Sequence, residues 1–142
     1  MDKNKVAQLK FSNGCNCAQA VLVALAPKSI NDDNLLLIAS AFGGGVAQQG
    51  KTCGVVTGAL MALGLHKGYT ESNLDDKAEF YVKAQRFIEE FKQKNGSDQC
   101  KKLIGYDISI ASEKEKAREQ EVFKNECPKF LDSAIEIMEK II

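Results

Sequence analysis

Apolar residues recur at helical spacing in several separate segments of the chain. Side chains three and four positions apart form a stripe along an α-helix, whereas a half-buried strand requires strict alternation, and no run of this sequence shows convincing alternation. The stripes predict longer helices over residues 2–11, 16–25, 32–42, 53–65, 74–94 and 128–142. Shorter helices are expected at Cys100 and from Ser112 onward. The predicted fold class is all-α, a single-domain helical bundle of about six to seven helices over residues 1–142.

A glycine-rich loop interrupts this helical pattern. Gly43–Gly45 should end the third helix, because glycine gives the backbone its greatest freedom, and the loop continues to Thr52. In the helix that follows, Gly54, Gly58 and Ala62 recur every four positions. Glycine costs about 1 kcal/mol in a helix interior relative to alanine. We therefore expect this face to pack closely against another backbone.

The C-terminal part of the chain contains two further boundary signals. Ser112 and Glu115 have the spacing of a capping box, which predicts a helix start. Asn125-Glu126 is expected to end that helix. Pro128 suits the first position of a helix, so the last helix is predicted to begin there.

Four of the five cysteines fall where a helix is predicted to begin. These are Cys17, Cys53, Cys100 and Cys127. The first turn of a helix has unpaired N–H groups and a partial positive charge, and both favour a thiolate. The thiolate is the form of cysteine that attacks, transfers electrons or binds metal. Four such placements predict one shared site of redox thiols or metal ligands, with Asn16 and Gly54 shaping the first turns around the sulfurs.

Electrostatics limits what four neighbouring thiols can be. Two unit charges about 4 Å apart repel by about 4 kcal/mol at an effective dielectric constant of 20. Four bare thiolates therefore cannot share a pocket. The site must hold a cation or a cluster, form disulfides, or keep most thiols protonated. An iron–sulfur cluster and zinc both suit a set of four cysteines, and the sequence leaves these cofactors and dithiol–disulfide chemistry open.

The charge balance and the hydropathy of the chain limit the partners and the cellular compartment that we expect. The chain has 19 basic and 19 acidic residues, which removes the electrostatic case for nucleic acid or an anionic membrane surface. No apolar stretch is long enough to cross a bilayer, and the first residues lack the apolar region of a signal peptide. We expect a cytoplasmic protein with reduced thiols. Its redox partner is unknown, and the apolar residues on two sides of the 74–94 helix suggest a homodimer.

Residues 45–52 match the phosphate-loop pattern G-x-x-x-x-G-K-[ST]. That loop binds nucleotides when a buried strand precedes it and an acidic residue ends another strand. The Leu- and Ala-rich segment before Gly45 suits a helix better than a strand. Nucleotide binding is therefore a remote alternative, and the simpler interpretation is a flexible loop that leads to Cys53.

Five stretches of the chain, in order, resemble the bacterial and archaeal family named C_GCAxxG_C_C. They are Phe11–Val21, Ala41–Gly45, Cys53–Ala59, Cys100–Gly105 and Cys127–Phe130. The resemblance covers nearly the whole chain and implies a redox-active protein whose site cysteines are Cys17, Cys53, Cys100 and Cys127. A similar cysteine module occurs at the front of split-Soret cytochromes, where it has been linked to an iron–sulfur site. Two departures are Val55, where the family usually has alanine, and the additional thiol of Cys15.

The favoured hypothesis is thus a redox-active protein, either an oxidoreductase or an electron-transfer protein, that uses four convergent cysteines. A non-catalytic zinc-binding or metal-carrier module would use the same thiols without redox change. A helical partner-binding protein would contain them only as small buried side chains, as cysteine often is.

Overall fold

A computed structural model describes residues 2–142, which fold into eight α-helices and one 3₁₀ helix. Their bounds are α1 (Lys3–Ser12), α2 (Cys17–Leu25), α3 (Asp32–Ile38), α4 (Gly54–Lys67), the 3₁₀ helix (Glu71–Asp76), α5 (Lys77–Asn95), α6 (Cys100–Ile104), α7 (Ala111–Glu119) and α8 (Val122–Ile141). The predicted all-α class is confirmed. Extended pairing within these residues is limited to one antiparallel bridge between Thr52 and Gln99. The helix number exceeds the predicted six to seven, and a separate 3₁₀ helix precedes α5 where one helix over 74–94 was predicted.

Helices α2 and α4 form the centre of the hydrophobic core. Val21 and Leu25 on α2 and Val56 and Leu63 on α4 are fully buried, and α8 packs against both helices. The small-residue face of α4 meets α2 directly. A Cβ atom added at Gly58 would lie 2.5 Å from the carbonyl oxygen of Ala18. The close approach expected from the glycine spacing is therefore present.

The boundary between α7 and α8 differs from the prediction. The chain turns at Glu121, whose φ of 52° is left-handed, and not at Asn125-Glu126. Val122 is buried at the start of α8, so the turn must come before it. Pro128 consequently lies inside α8, where its carbonyl oxygen accepts a hydrogen bond from Gln8 Nε2 at 3.0 Å. The rest of α8 buries its apolar face as predicted.

The predicted capping box at Ser112 is also wrong. Helix α7 begins at Ala111, and its N-cap residue Ile110 forms no side-chain hydrogen bond. Glu113 Oε1 accepts instead from the backbone N–H of Asp107 at 3.0 Å. The Glu113 side chain therefore stabilises the turn before α7 and does not cap the helix.

Helix α3 is shorter than predicted, since it ends at Ile38 rather than at Phe42. The Asn16 side chain donates to the carbonyl oxygens of Ala39 and Ser40, at 3.3 and 3.1 Å, and so binds the chain where it leaves the helix. The glycine-rich loop follows and leads to α4, as expected.

Helix α5 packs on one side only. Ala84, Phe87 and Phe91 are its buried residues, whereas Tyr81 and Val82, two of the apolar residues on its other side, are 47% and 63% exposed. The exposed face leaves room for a second copy, and the homodimer stays a prediction. Within residues 2–142, no helix has both the length and the apolar content needed to cross a bilayer.

The contact between α2 and α4 predicts a clear difference between two glycines of α4. Gly58→Ala should lower the free energy of unfolding by about 1–3 kcal/mol, because its Cβ would overlap the Ala18 carbonyl group. Gly64→Ala is the matched control, since the nearest atom to its Cβ is Phe80 Cζ at 4.0 Å. Alanine there should stabilise by up to about 1 kcal/mol through helix propensity. Urea unfolding measures both, and equal effects of the two substitutions would contradict the packing described.

Candidate four-cysteine site

The four predicted cysteines line a single cavity of about 450 Å³. Asn16 and Gly54 line it as well. Apolar side chains, among them Phe11, Ile108 and Phe123, form much of the remaining wall. The structure thus brings together every residue that the sequence singled out for the site. Their catalytic or metal-binding roles stay a prediction.

The first residue of α2 is Cys17, and an Asn16 capping box fixes it there. Asn16 Oδ1 accepts from the backbone N–H of Gln19 at 2.8 Å, and Gln19 Oε1 accepts from the backbone N–H of Asn16 at 2.9 Å. Gln19 Nε2 also donates to the carbonyl oxygen of Leu36 at 2.9 Å. This network joins the start of α2 to the end of α3, next to the cavity.

A short antiparallel contact places Cys53 beside Cys100. The backbone N–H of Cys53 donates to the carbonyl oxygen of Asp98, and that of Cys100 donates to the carbonyl oxygen of Lys51, each at 2.7 Å. Cys53 is the N-cap residue of α4 and Cys100 is the first residue of α6. Aspartate is a favourable N-cap residue, but Gln99 rather than Asp98 is the N-cap residue of α6, because Asp98 takes part in this contact. No local sequence signal predicts a pairing between segments so far apart.

The position of Cys127 corrects one expectation. It lies in the second turn of α8 and not at a helix start. Intrahelical hydrogen bonds occupy the backbone there, so the argument from unpaired N–H groups does not apply to this thiol. Cys127 shares the buried face of α8 with Phe130 and Leu131, three and four positions further along. The amphipathic pattern of α8, rather than a helix terminus, directs this thiol to the cavity.

Two glycines let the backbone pass close to the sulfurs. A Cβ at Gly45 would lie 2.7 Å from Cys100 Cβ, and one at Gly54 would lie 3.1 Å from Cys17 Cβ. Gly45 belongs to a left-handed turn that continues through Val46, whose φ is 62°, to Gln48. Non-glycine residues adopt this conformation at a cost, and such strain concentrates at functional sites. Sequence reasoning missed the turn, because valine gives no signal for it.

The structure does not give residues 45–52 the setting of a nucleotide-binding loop. Helix α3 and a series of turns precede Gly45, where a phosphate loop follows a buried strand. Lys51 is exposed, and its backbone N–H donates to the carbonyl oxygen of Gly45 at 2.8 Å. The loop instead leads the chain to Cys53.

Burial dominates the electrostatics of Cys53 and Cys100, which are 6% and 7% exposed. Burial raises the pKa of Cys53 to about 12, although the backbone N–H groups of Val55 and Val56 counteract part of the rise without a full capping hydrogen bond. Burial raises the pKa of Cys100 to about 11, and the charges of Cys127 and Asp107 add to it. Both thiols are therefore protonated at neutral pH when nothing is bound.

Cys17 and Cys127 influence each other's ionisation. The Cys127 thiol raises the pKa of Cys17 well above its ordinary value, and burial adds to this rise. The Cys17 thiol in turn lowers the pKa of Cys127. One proton shared by two sulfurs accounts for both directions, because the remaining thiol stabilises the first thiolate and the thiolate then hinders a second ionisation.

All five cysteines are free thiols. Cys15 is half-buried and does not line the cavity. No group of three or more His, Cys, Asp or Glu side chains within residues 2–142 is placed to hold a metal ion.

The raised pKa values predict a loss of stability at alkaline pH. An exposed thiol in the unfolded chain ionises near pH 8.5, whereas folded Cys53 and Cys100 keep their protons to about 12 and 11. Their contribution to stability is complete below about pH 8.5 and is lost as the pH rises through the folded values. Each thiol should contribute a slope of about 1.4 kcal/mol per pH unit above about pH 8.5.

Urea unfolding of cofactor-free protein between about pH 8.5 and 10 measures this slope. Cys53→Ser should flatten it, since serine does not ionise there. Cys15→Ser, outside the cavity, is the matched control. The same slope in both variants would show that burial of Cys53 does not control the pH dependence.

A family model matches most of the chain. Residues 15–141 match the model of the family described as "Putative redox-active protein (C_GCAxxG_C_C)". No curated protein and no solved structure matches the chain. The match includes Cys17, Cys53, Cys100 and Cys127, the four cysteines of the cavity. The chain therefore belongs to the C_GCAxxG_C_C family, as the resemblance of its motifs predicted.

Proposed function

We propose that this protein carries electrons at an iron–sulfur cluster bound by Cys17, Cys53, Cys100 and Cys127. One observation carries the proposal: four thiols from four different parts of the chain line one cavity. The family description supports redox activity in general. A reducing compartment suits such a site, and we propose the cytoplasm as its location.

The four cysteine sulfurs and the volume of the cavity fit an iron–sulfur cluster. Four cysteine thiolates are the usual ligands of [2Fe–2S] and [4Fe–4S] clusters. A cavity of about 450 Å³ is many times the share of liquid volume of one water molecule, about 30 Å³. Zinc would use the same four thiols, and direct metal analysis distinguishes the two cofactors.

Burial of the thiols also favours a bound cation over free thiol chemistry. Cys53 and Cys100 are 6% and 7% exposed, and burial makes each a poor nucleophile because it disfavours the thiolate. Metal ions deprotonate the thiols that bind them, and binding releases those protons. A positively charged group in the cavity would thus resolve the repulsion that four thiolates create.

The surrounding residues would hold the sulfurs and exclude water. The Asn16 capping box fixes the backbone at Cys17, and the paired backbone hydrogen bonds fix Cys53 and Cys100 relative to each other. The apolar wall limits solvent access, which is one of the factors that set a reduction potential. When bound, an iron–sulfur cluster supplies one-electron transfer.

Dithiol–disulfide chemistry is the second candidate, and it is favoured because Cys17 and Cys127 line the same cavity and shift each other's pKa in opposite directions. In this reaction the two thiols would become one disulfide. Two protons and two electrons would pass to a partner disulfide, which would become two thiols. The lowered pKa of Cys127 suits the attacking sulfur.

Metal and acid-labile sulfide analysis of cysteine variants tests the proposal. Serine at Cys17, Cys53, Cys100 or Cys127 should abolish iron and sulfide loading in protein purified without oxygen, because each variant lacks one ligand. Cys15→Ser is the matched control and should load like the wild type, since Cys15 does not line the cavity.

Other outcomes distinguish the alternatives. Full iron loading in all four cavity variants would contradict the proposal. Iron-free protein in which Cys17 and Cys127 oxidise reversibly would favour the dithiol candidate, and zinc without sulfide would favour the metal carrier. Alkylated protein that keeps its fold and its partners unchanged would indicate that the cysteines are incidental.

A further inference from the structure

We propose that α7 is a lid over the four-cysteine cavity and that Lys114 holds it closed through Gln48. Lys114 Nζ donates to Gln48 Oε1 at 2.6 Å, and both residues line the cavity. The contact joins α7 to the glycine-rich loop, which lies far from it in sequence. The inference rests on the proposed function only in taking the four cysteines as the working site.

The position of Lys114 is informative because of its charge. It is the one charged side chain among the described residues that line the cavity. It is also half-buried, whereas most other side chains of α7 are exposed. Its ammonium group lies at the rim of the cavity, where it donates to the exposed side chain of Gln48.

Helix α7 has the properties of a segment that can open locally. Ala117 is its one buried residue, and no side chain caps its N-terminus. Left-handed residues lie in the connections on both sides, Gly105 with a φ of 79° before it and Glu121 with a φ of 52° after it. Few buried apolar contacts imply a low free energy of local opening. The Lys114 contact then becomes a large part of what holds α7 in place.

The glycine-rich loop is the fixed part of the structure against which the α7 lid closes. The backbone N–H of Gln48 donates to the carbonyl oxygen of Gly43 at 3.0 Å, and that of Gly50 donates to Gly44 at 3.0 Å. A Cβ at Gly45 would overlap Cys100, so the loop lies directly against the cysteine site. The left-handed turn at Gln48 presents its side chain to α7 from a firmly bonded backbone.

Opening is needed because the thiols are covered. Cys53, Cys100 and Cys127 are 6%, 7% and 6% exposed, whereas Cys17 is half-buried, so an approaching group meets little of the first three thiols in this state. Displacement of α7 and Lys114 would uncover the cavity from one side while the central α2–α4 contact stays unchanged. Access to the cysteines is thus controlled by the contact between Lys114 and Gln48.

The rate at which iodoacetamide alkylates the cavity thiols tests the lid. The experiment uses cofactor-free, folded protein with Cys15→Ser, and mass spectrometry follows each cysteine. Lys114→Ala and Gln48→Ala should each accelerate alkylation about threefold to tenfold, because each removes a hydrogen bond that opposes opening. The double variant should react no faster than the faster single variant. Lys116→Ala, an exposed lysine on the same helix, should react like the wild type.

Whether alkylation becomes faster or slower distinguishes easier access to the thiols from a change in their pKa. Loss of a nearby cation raises a thiol pKa and would slow alkylation, so acceleration in Lys114→Ala reports access. Iodoacetamide is neutral, and the charge change therefore does not alter its approach. Urea unfolding of Lys114→Ala should give a free energy lower than that of Lys116→Ala by no more than the measured acceleration corresponds to, about 1.4 kcal/mol for a tenfold change, because the open and the unfolded states lack the contact alike. If Lys114→Ala does not fold, Gln48→Ala provides the same measurement.

The lid would be contradicted if both single variants alkylate at the wild-type rate. It would also be contradicted if the double variant shows the product of the two single accelerations. The result is independent of the cluster. If no iron binds the wild type, the alkylation rates still test the lid. If iron binds but the variants alkylate like Lys116→Ala, the lid fails and the proposed function stands.

Discussion

Helices α2 and α4 meet backbone to backbone at Gly54 and Gly58, where an added Cβ would lie 2.8 and 2.5 Å from atoms of Ala18. Cys17 is the first residue of α2, and Cys53 is the N-cap residue of α4. Close packing near the starts of the two helices therefore brings these cysteines to the same cavity. The rest of the site is added to this contact, Cys100 through its backbone hydrogen bond to Lys51 and Cys127 through the buried face of α8.

The same arrangement creates an electrostatic conflict at the centre of the fold. Packing that buries Cys53 and Cys100 also raises their pKa values, so these thiols are neutral unless a cation binds them. A cationic group would let all four sulfurs ionise, whereas a disulfide would remove two of them from the balance. In both cases the folded chain holds four cysteines together in an environment that disfavours free thiolates.

Local signals in the sequence were sufficient for much of this arrangement. The stripes of apolar residues predicted the all-α class, the spacing of Gly54 and Gly58 predicted a close helix contact, and Asn16 predicted the start of α2. The motifs also identified the family. The misses depended on tertiary contacts: Val122 is buried, so α8 begins before Pro128, and Asp98 accepts a hydrogen bond from the backbone of Cys53 instead of capping α6. The left-handed turn at Val46 and the contact between Lys114 and Gln48 depend on packing that no short pattern encodes.

The central claim is that four cysteines bind one iron–sulfur cluster in this cavity. Anomalous diffraction at the iron edge, from crystals of protein purified without oxygen, tests it most directly because it locates iron relative to each sulfur. If the cluster is present, we expect iron within bonding distance of the sulfur atoms of Cys17, Cys53, Cys100 and Cys127. A cavity without iron, with Cys17 and Cys127 joined as a disulfide, would contradict it.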